Sequence, residues 1–385
     1  MALQRGKAIS APRCGASGYG SVTLPGAAYA AHRQPTGQES VVVNQVESYR
    51  ALALQVTCHA VNTLSDPATV RERMRATIER LHAQIRASIG FIGSDVRLVV
   101  LPEYFLTGFP LGESIAVWSE KAAIDPDGPE YAALGQIARD QQIFLSGNCY
   151  ERDPHFPGLY FQVSFVIDPT GQVVLRYRRL NSMFAPTPHD LWERFLEIYG
   201  PESVFPVAST AIGRLACIAS EEILFPEVAR CLVMRGAEVL IHSSSEVSSP
   251  ELTQKNIAKM ARALENLAYL VSANSAGIEG IAIPFASVDG GSKIVDYTGR
   301  VLVEAGQGES MAAYAEIDLA ALRRYRRRPG MNNLLSRQRF ELYARSYASA
   351  SFYPPNTLLS GSPERRHFLR TQQETIDRLA QMGVI

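Results

Sequence analysis

From about Tyr49 the chain settles into the two periods of regular secondary structure. Ala51 to Cys58 (ALALQVTC) alternates and predicts a first strand. Ser65-Asp66-Pro67 then opens a helix, with a capping residue followed by Pro at the first helical position. Val70, Met74, Ile78, Leu81 and Ile85, spaced by three and four, form its apolar stripe. A buried strand, Leu98 to Leu101, ends in Pro102-Glu103, so the chain opens with a β-α-β unit whose second strand leads into a carboxylate. A helix starts near Pro129, and strands follow at Ile143 to Tyr150, Phe161 to Ile167 and Val173 to Leu180. Pro169-Thr170-Gly171 is the turn between the last two. After a proline-containing loop, a second β-α-β unit runs from strand Leu215 to Ala219, through a helix from Pro226, to strand Val239 to His242. A long helix at about Gln254 to Leu267, strand Tyr269 to Asn274, and strands Lys293 to Asp296 and Val301 to Glu304 complete the pattern. Crossovers mixed with hairpins predict a layered α/β protein with mixed sheets.

Two stretches stand outside this pattern. Residues 1–48 form an N-terminal extension. It starts rich in Gly, Ala, Pro and Ser, with Arg5, Lys7, Arg13 and Arg33 and no acid before Glu39. Such a start has the composition of a transit peptide or of a surface-draped extension, and it has no apolar core for secretion. Residues 331–385 form a tail, with a helix expected after Ser362-Pro363 that carries Phe368, Leu369, Ile376 and Leu379. An apolar stripe so far outside the core is expected to pack on a neighbouring subunit. Between them, 49–330 is expected to form one domain.

Composition narrows the function classes. Lys+Arg and Asp+Glu each number 38, so net charge makes no case for nucleic acid or an anionic membrane. The run RRYRRR at 323–328 is too short to change this and is expected on a solvated or subunit-facing surface. No apolar run reaches the length of a membrane span. The five cysteines are scattered without a CxxC pair, which suits a reducing, cytoplasmic compartment and neither zinc nor a disulfide framework.

Three segments end strands with reactive groups: LPEYFLTGFP around Glu103, VVLRYRRLN around Arg179, and SEEILFPEVAR from Ser220. Groups beyond strand carboxyl ends converge on the ligand crevice of α/β proteins. A carboxylate to move a proton, a cation for an oxyanion and a nucleophile would together suit acyl transfer.

In order and separation these segments resemble the glutamate, lysine and cysteine segments of the nitrilase, or carbon–nitrogen hydrolase, superfamily. ARALEN from Ala261, Asn274-Ser275-Ala276-Gly277 and Asp289-Gly290-Gly291-Ser292 resemble further stretches of that family. The resemblance covers about Tyr49 to Arg328. It implies a four-layer α-β-β-α sandwich, pairing into homodimers or larger homo-oligomers, a small-molecule substrate, and no metal or organic cofactor. It places the family glutamate on Glu103 and a second glutamate on Glu193. The lysine falls on Arg179 and the cysteine on Ser220, both departures from the family pattern. Glu222, His242, Tyr104 and Trp192 are expected to contact substrate.

A serine hydroxyl is a weaker nucleophile than a thiol and needs a base. Arg179 stays charged, and it can grip a carboxylate as well as an oxyanion. His242 ends the strand after the next helix, so Ser220, His242 and Glu246 or Glu103 could form a triad, or His242 could merely line the pocket. The Ser243–Glu246 stretch could line it too, or be a polar loop. Cys217 lies inside a strand and reads as packing. Three readings stay open: an amidase-type hydrolase acting on an amide, nitrile or carbamoyl bond through an acyl-enzyme; an inactive pseudoenzyme that binds a ligand or partner; and an acyl-transferring or amide-forming biosynthetic enzyme. A cysteine replaced to trap a ligand would explain Ser220 but not Arg179.

Overall fold

The computed structural model describes residues 48–385 except 248, 250, 251, 360 and 362; the N-terminal extension up to residue 47 lies outside the described residues. The strands are β1 (Tyr49–Ala53), β2 (Cys58–His59), β3 (Val96–Val100), β4 (Phe144–Arg152), β5 (Tyr160–Ile167), β6 (Val173–Arg178), β7 (Ala208–Thr210), β8 (Gly213–Ala219), β9 (Val239–Ser243), β10 (Tyr269–Ala273), β11 (Ile278–Glu279), β12 (Lys293–Val295), β13 (Val301–Glu304) and β14 (Tyr314–Ile317). The helices are α1 (Pro67–Ile92), α2 (Ile115–Ala122), α3 (Pro129–Gln141), α4 (Trp192–Tyr199), α5 (Pro226–Met234), α6 (Gln254–Asn266), α7 (Leu319–Arg327), α8 (Glu341–Ser349) and α9 (Arg365–Gln381).

Two six-stranded mixed sheets carry the fold, ordered β14-β1-β3-β4-β5-β6 and β13-β12-β10-β9-β8-β7. Both expected β-α-β units are present as parallel pairs, β1 with β3 and β8 with β9. Strand alternation sorts the side chains of the first sheet into two cores. Ala51, Ala53, Leu98 and Val100 face the second sheet, whereas Leu52, Val96 and Val99 face the apolar stripe of α1 together with Leu134 and Ile137 of α3. On the other side α5 and α6 bury Val228, Leu232, Ala258 and Ala263 with the second sheet. The result is the expected α-β-β-α sandwich. Asp66 caps α1 by accepting from Thr69 N at 2.8 Å, with Pro67 in its first turn. Gly171 takes φ +82° in the β5–β6 turn, a conformation that costs a residue with a Cβ.

Two expectations are corrected here. Ala51–Cys58 is not one strand: β1 stops at Ala53 and β2 begins at Cys58. Between them the fully buried Gln55 donates to Gly306 O and Gly308 O, each at 2.7 Å, and accepts from Ser292 N at 3.0 Å. The tail does not pack only outward. Phe368 is buried in the chain's own core, while Leu369 and Ile376 of the predicted stripe are exposed. Among the described residues no helix is long and apolar enough to cross a membrane, and no group of three His, Cys, Asp or Glu could hold a metal.

Candidate active site

The carboxyl ends of β3, β6, β8 and β9 meet at one rim of the sandwich. Two hydrogen bonds stitch the sheets together there. Ser243 Oγ donates to Leu101 O at 2.8 Å, and Glu103 N donates to Ser244 O at 3.2 Å. Two of the turns that leave this rim are strained: Tyr104 has φ +58° and Ser220 φ +49°, left-handed values that cost a non-glycine residue on the order of 1–2 kcal/mol. Glu103, Tyr104, Gln162, Arg179, Ser220 and Glu221 thereby line one cavity of about 710 Å3.

Within the cavity the charges are chained. Arg179, 6% exposed, donates from Nη1 to Gln162 Oε1 at 2.6 Å and from Nε to Asn181 O at 2.6 Å, and its Nη2 pairs with Glu221. Gln162 Nε2 donates to Glu103 Oε1 at 2.5 Å and to Asn148 Oδ1 at 2.9 Å, and Glu103 Oε1 lies 3.7 Å from Arg179 Nη1. Burial works against the guanidinium charge, but the surrounding Glu221, Glu103 and Glu222 carboxylates help to outweigh it and the pKa is raised. Burial and the Glu103 charge raise the Tyr104 pKa, keeping its hydroxyl protonated. The cation is therefore permanent, and it is already shared between two acids.

His242 does not serve Ser220 as a base. Burial first, then Lys259, pulls its pKa well below the usual 6.5, so the ring is neutral. Its Nε2 donates to the backbone carbonyl of Ser220 at 2.7 Å. A neutral ring donating there must accept at Nδ1, so Ser272 Oγ, at 2.9 Å, is the donor. Glu246 is equally committed, through its ion pair with the buried Lys259. No triad forms. Cys217 is buried in β8, and burial pushes its thiol up to about 12, which leaves it packing rather than reactive.

The other predicted residues divide. Tyr104 lines the cavity and stacks on Tyr150 with ring centroids 5.4 Å apart. Glu222 does not reach the cavity: it is fully buried and accepts from Tyr177 Oη at 2.8 Å, Leu180 N at 2.8 Å and Asn181 N at 2.9 Å. Burial raises its pKa against the pull of Arg179 and these donors. Glu193 is exposed on α4, its backbone N–H bound to Asn356 Oδ1 at 3.0 Å, and does not line the cavity. Trp192 lines an adjacent cavity. Of the Ser243–Glu246 stretch, Ser245 lines the cavity. The site also holds groups that the sequence reading missed. Glu221 sits beside Glu222 in the 3-10 turn Ser220–Leu224, where alternation no longer says which carboxylate points where. Gln162 did leave a signal, as a polar residue inside the otherwise apolar strand YFQVSFVI.

The profile of the family described as Carbon-nitrogen hydrolase matches residues 56–327. A formamidase of Bacillus cereus (strain Q1) is 25% identical over 283 residues, 73% of this chain and 77% of that protein. Among solved structures, a carbon-nitrogen hydrolase from Helicobacter pylori G27 matches with TM-score 0.59 at 21% identity, covering 79% of this chain and 100% of the other. An amidase from Nesterenkonia sp. matches with TM-score 0.52 at 23% identity over 77% and 96%. With the profile spanning well over half its length, the chain belongs to the carbon-nitrogen hydrolase family.

Proposed function

We propose that this chain hydrolyses an amide, nitrile or carbamoyl carbon–nitrogen bond through an acyl intermediate on Ser220. The observation that carries the reading is the strained Ser220 turn, held on the same cavity as Glu103 and Arg179. Strain of this kind persists only where the surroundings over-determine it, and it clusters at functional sites. For an amide, the Ser220 hydroxyl attacks the carbonyl carbon and its proton passes to Glu103. Arg179 stabilises the oxyanion. The C–N bond then breaks, the amine leaving with the proton from Glu103. Water, deprotonated by the same carboxylate, hydrolyses the ester to acid and restores the serine. A well-placed oxyanion donor contributes on the order of 10²–10³ in rate. The formamidase relative puts formamide first among substrates to try.

One observation favours a second reading, a pocket that binds such a ligand without turning it over. Among the described residues nothing hydrogen-bonds the Ser220 hydroxyl, and His242 holds the carbonyl of the same residue instead.

Intact-protein mass spectrometry with a panel of amides, nitriles and carbamoyl compounds, alongside ammonia release, separates the two. An acyl adduct on Ser220 is expected, absent in Ser220→Ala, with ammonia release reduced at least about 100-fold. Turnover that appears only in Ser220→Cys overturns the acyl-serine and leaves the binding pocket. Silence in both means that Arg179 or the pocket has left the chemistry.

A further inference from the structure

A second cavity, of about 580 Å3, adjoins the first. Ser182, Met183 and Glu221 line both, so the two spaces meet at the carboxylate that pairs with Arg179. Its walls are aromatic: Trp192, Phe205, Phe225, Tyr353 and Phe368. Tyr353, Phe368 and Gln372 come from the tail, beyond the 56–327 family match, so part of this wall lies outside the family domain. The tail is fastened there by defined bonds. Asn356 N donates to His189 O at 2.9 Å, Leu358 N to Asp190 O at 3.0 Å, and Thr357 Oγ1 to Asp190 Oδ1 at 2.7 Å.

Most of the polar groups that line the second cavity are committed within the chain. Asp190 accepts from Thr187 N at 3.0 Å and Thr187 Oγ1 at 2.7 Å as well as from Thr357. Burial lowers the pKa of His189, keeping it neutral. Glu221 is held by Arg179. Glu227 also lines the cavity, exposed and accepting from Tyr347 Oη at 2.7 Å, and the aromatic walls reward apolar surface. A one-carbon amide has three heavy atoms and fills roughly three water volumes, ~90 Å3, a small part of the first cavity's 710 Å3 alone.

We propose that the second cavity receives an aryl or alkyl arm of the substrate, whose reacting amide lies at Ser220, so that the preferred substrates are long apolar amides. The inference rests on the acyl-serine reading for the orientation of the amide, but the cavity's occupancy is read without turnover. Full-length protein carrying Ser220→Ala, which leaves bound amide unconsumed, is titrated by calorimetry with acetamide, hexanamide and 4-phenylbutyramide. Affinity is expected to rise by about fourfold for each methylene buried. The chain has two tryptophans, Trp118 and Trp192, and only Trp192 lines the second cavity. The long amides are therefore expected to shift tryptophan fluorescence and to stop doing so in Trp192→Phe while still binding. Gln372→Phe, at an exposed position of α9 that faces the cavity, is expected to weaken 4-phenylbutyramide at least tenfold and leave acetamide unchanged. Met183→Phe at the junction is the second variant should the first melt early. Equal affinity across the three amides, a Trp192 that does not respond to the long ones, or unchanged affinity in both folded variants overturns the proposal. If the chain with Ser220 intact hydrolyses none of the three, the acyl-serine reading fails on its own, and the affinity series still decides this one.

Discussion

His242 is where residue identity misleads most about role. Its place at the end of β9, beside Ile218 of β8 in register, put it within reach of Ser220. Reach does not say which atom is met, and the ring holds the strained backbone rather than the hydroxyl. Removing it with His242→Ala strands the Ser220 carbonyl and the Ser272 hydroxyl in a buried place, at about 1–3 kcal/mol per unsatisfied group. Chemical denaturation should show that loss. The ring also makes stability depend on pH. Its folded pKa lies well below 6.5, with Lys259 and Lys255 adding to burial. The unfolded chain therefore takes up the proton first as pH falls. The contribution is complete above about pH 6.5 and is lost below it. His242→Gln, able to donate and accept in the same place, should flatten the fall in Tm between about pH 7 and 5; an unchanged slope would assign the fall to other groups. Glu103, Arg179 and Ser220 were readable because each ends a strand, where the chain must deliver its side chains to the rim. Glu222 was expected in the cavity where Glu221 stands, because a 3-10 turn begins at Ser220 and breaks the count.

At the scale of elements the period-two and period-3.6 patterns located both β-α-β units, since each strand face and helix stripe has a core to bury itself in. The pattern failed where one polar side chain does the work of several backbone groups. Gln55 interrupts an alternating run because it satisfies Gly306, Gly308 and Ser292 from distant parts of the sequence, and no local period encodes that. The basic run at α7 was expected on a solvated or subunit-facing surface, yet Arg323 clamps Glu238 at 2.6 Å. Arg326 donates to Leu267 O and Ala237 O, each at 2.8 Å, and burial lowers its pKa to about 10. Glu222 is the matching clamp on the other side, tying the end of β6 to the turn after β8. Glu222→Ala leaves Tyr177 Oη and two backbone N–H groups without their acceptor, and should lower the unfolding free energy by at least about 2 kcal/mol. Urea denaturation reads this directly, and a loss below about 0.5 kcal/mol would mean that water replaces the carboxylate. Because burial raises the Glu222 pKa, the uncharged Glu222→Gln should cost less than the alanine.

For the whole molecule the tail sets the open question, and its two helices answer it differently. Helix α9 sends Phe368 into the chain's own core, whereas α8 buries none of its nine residues. Leu342, Tyr343 and Tyr347 stand exposed on α8, with Met331 and Phe352 exposed on either side of it in sequence. A helix this short is marginal in water unless an apolar face is packed, and Tyr347 Oη with Glu227, at 2.7 Å, is a single exposed tether. The packing that the rest of the fold takes from its own sheets must here come from outside the chain, and the partner we propose is a second copy. Light scattering on the full-length protein should then give at least twice the 42.2 kDa chain mass. Leu342→Glu with Tyr343→Glu should return it to that of one chain without lowering the Tm of the sandwich, because neither side chain touches its core. A single-chain mass at micromolar concentration would sink the idea, and α8 would then be expected to exchange its amide hydrogens as fast as a free peptide. The two outcomes differ in what the tail contributes: α9 and its apolar annexe serve the pocket of their own chain in either case, while α8 has a structural reason to be helical only if a neighbour supplies one.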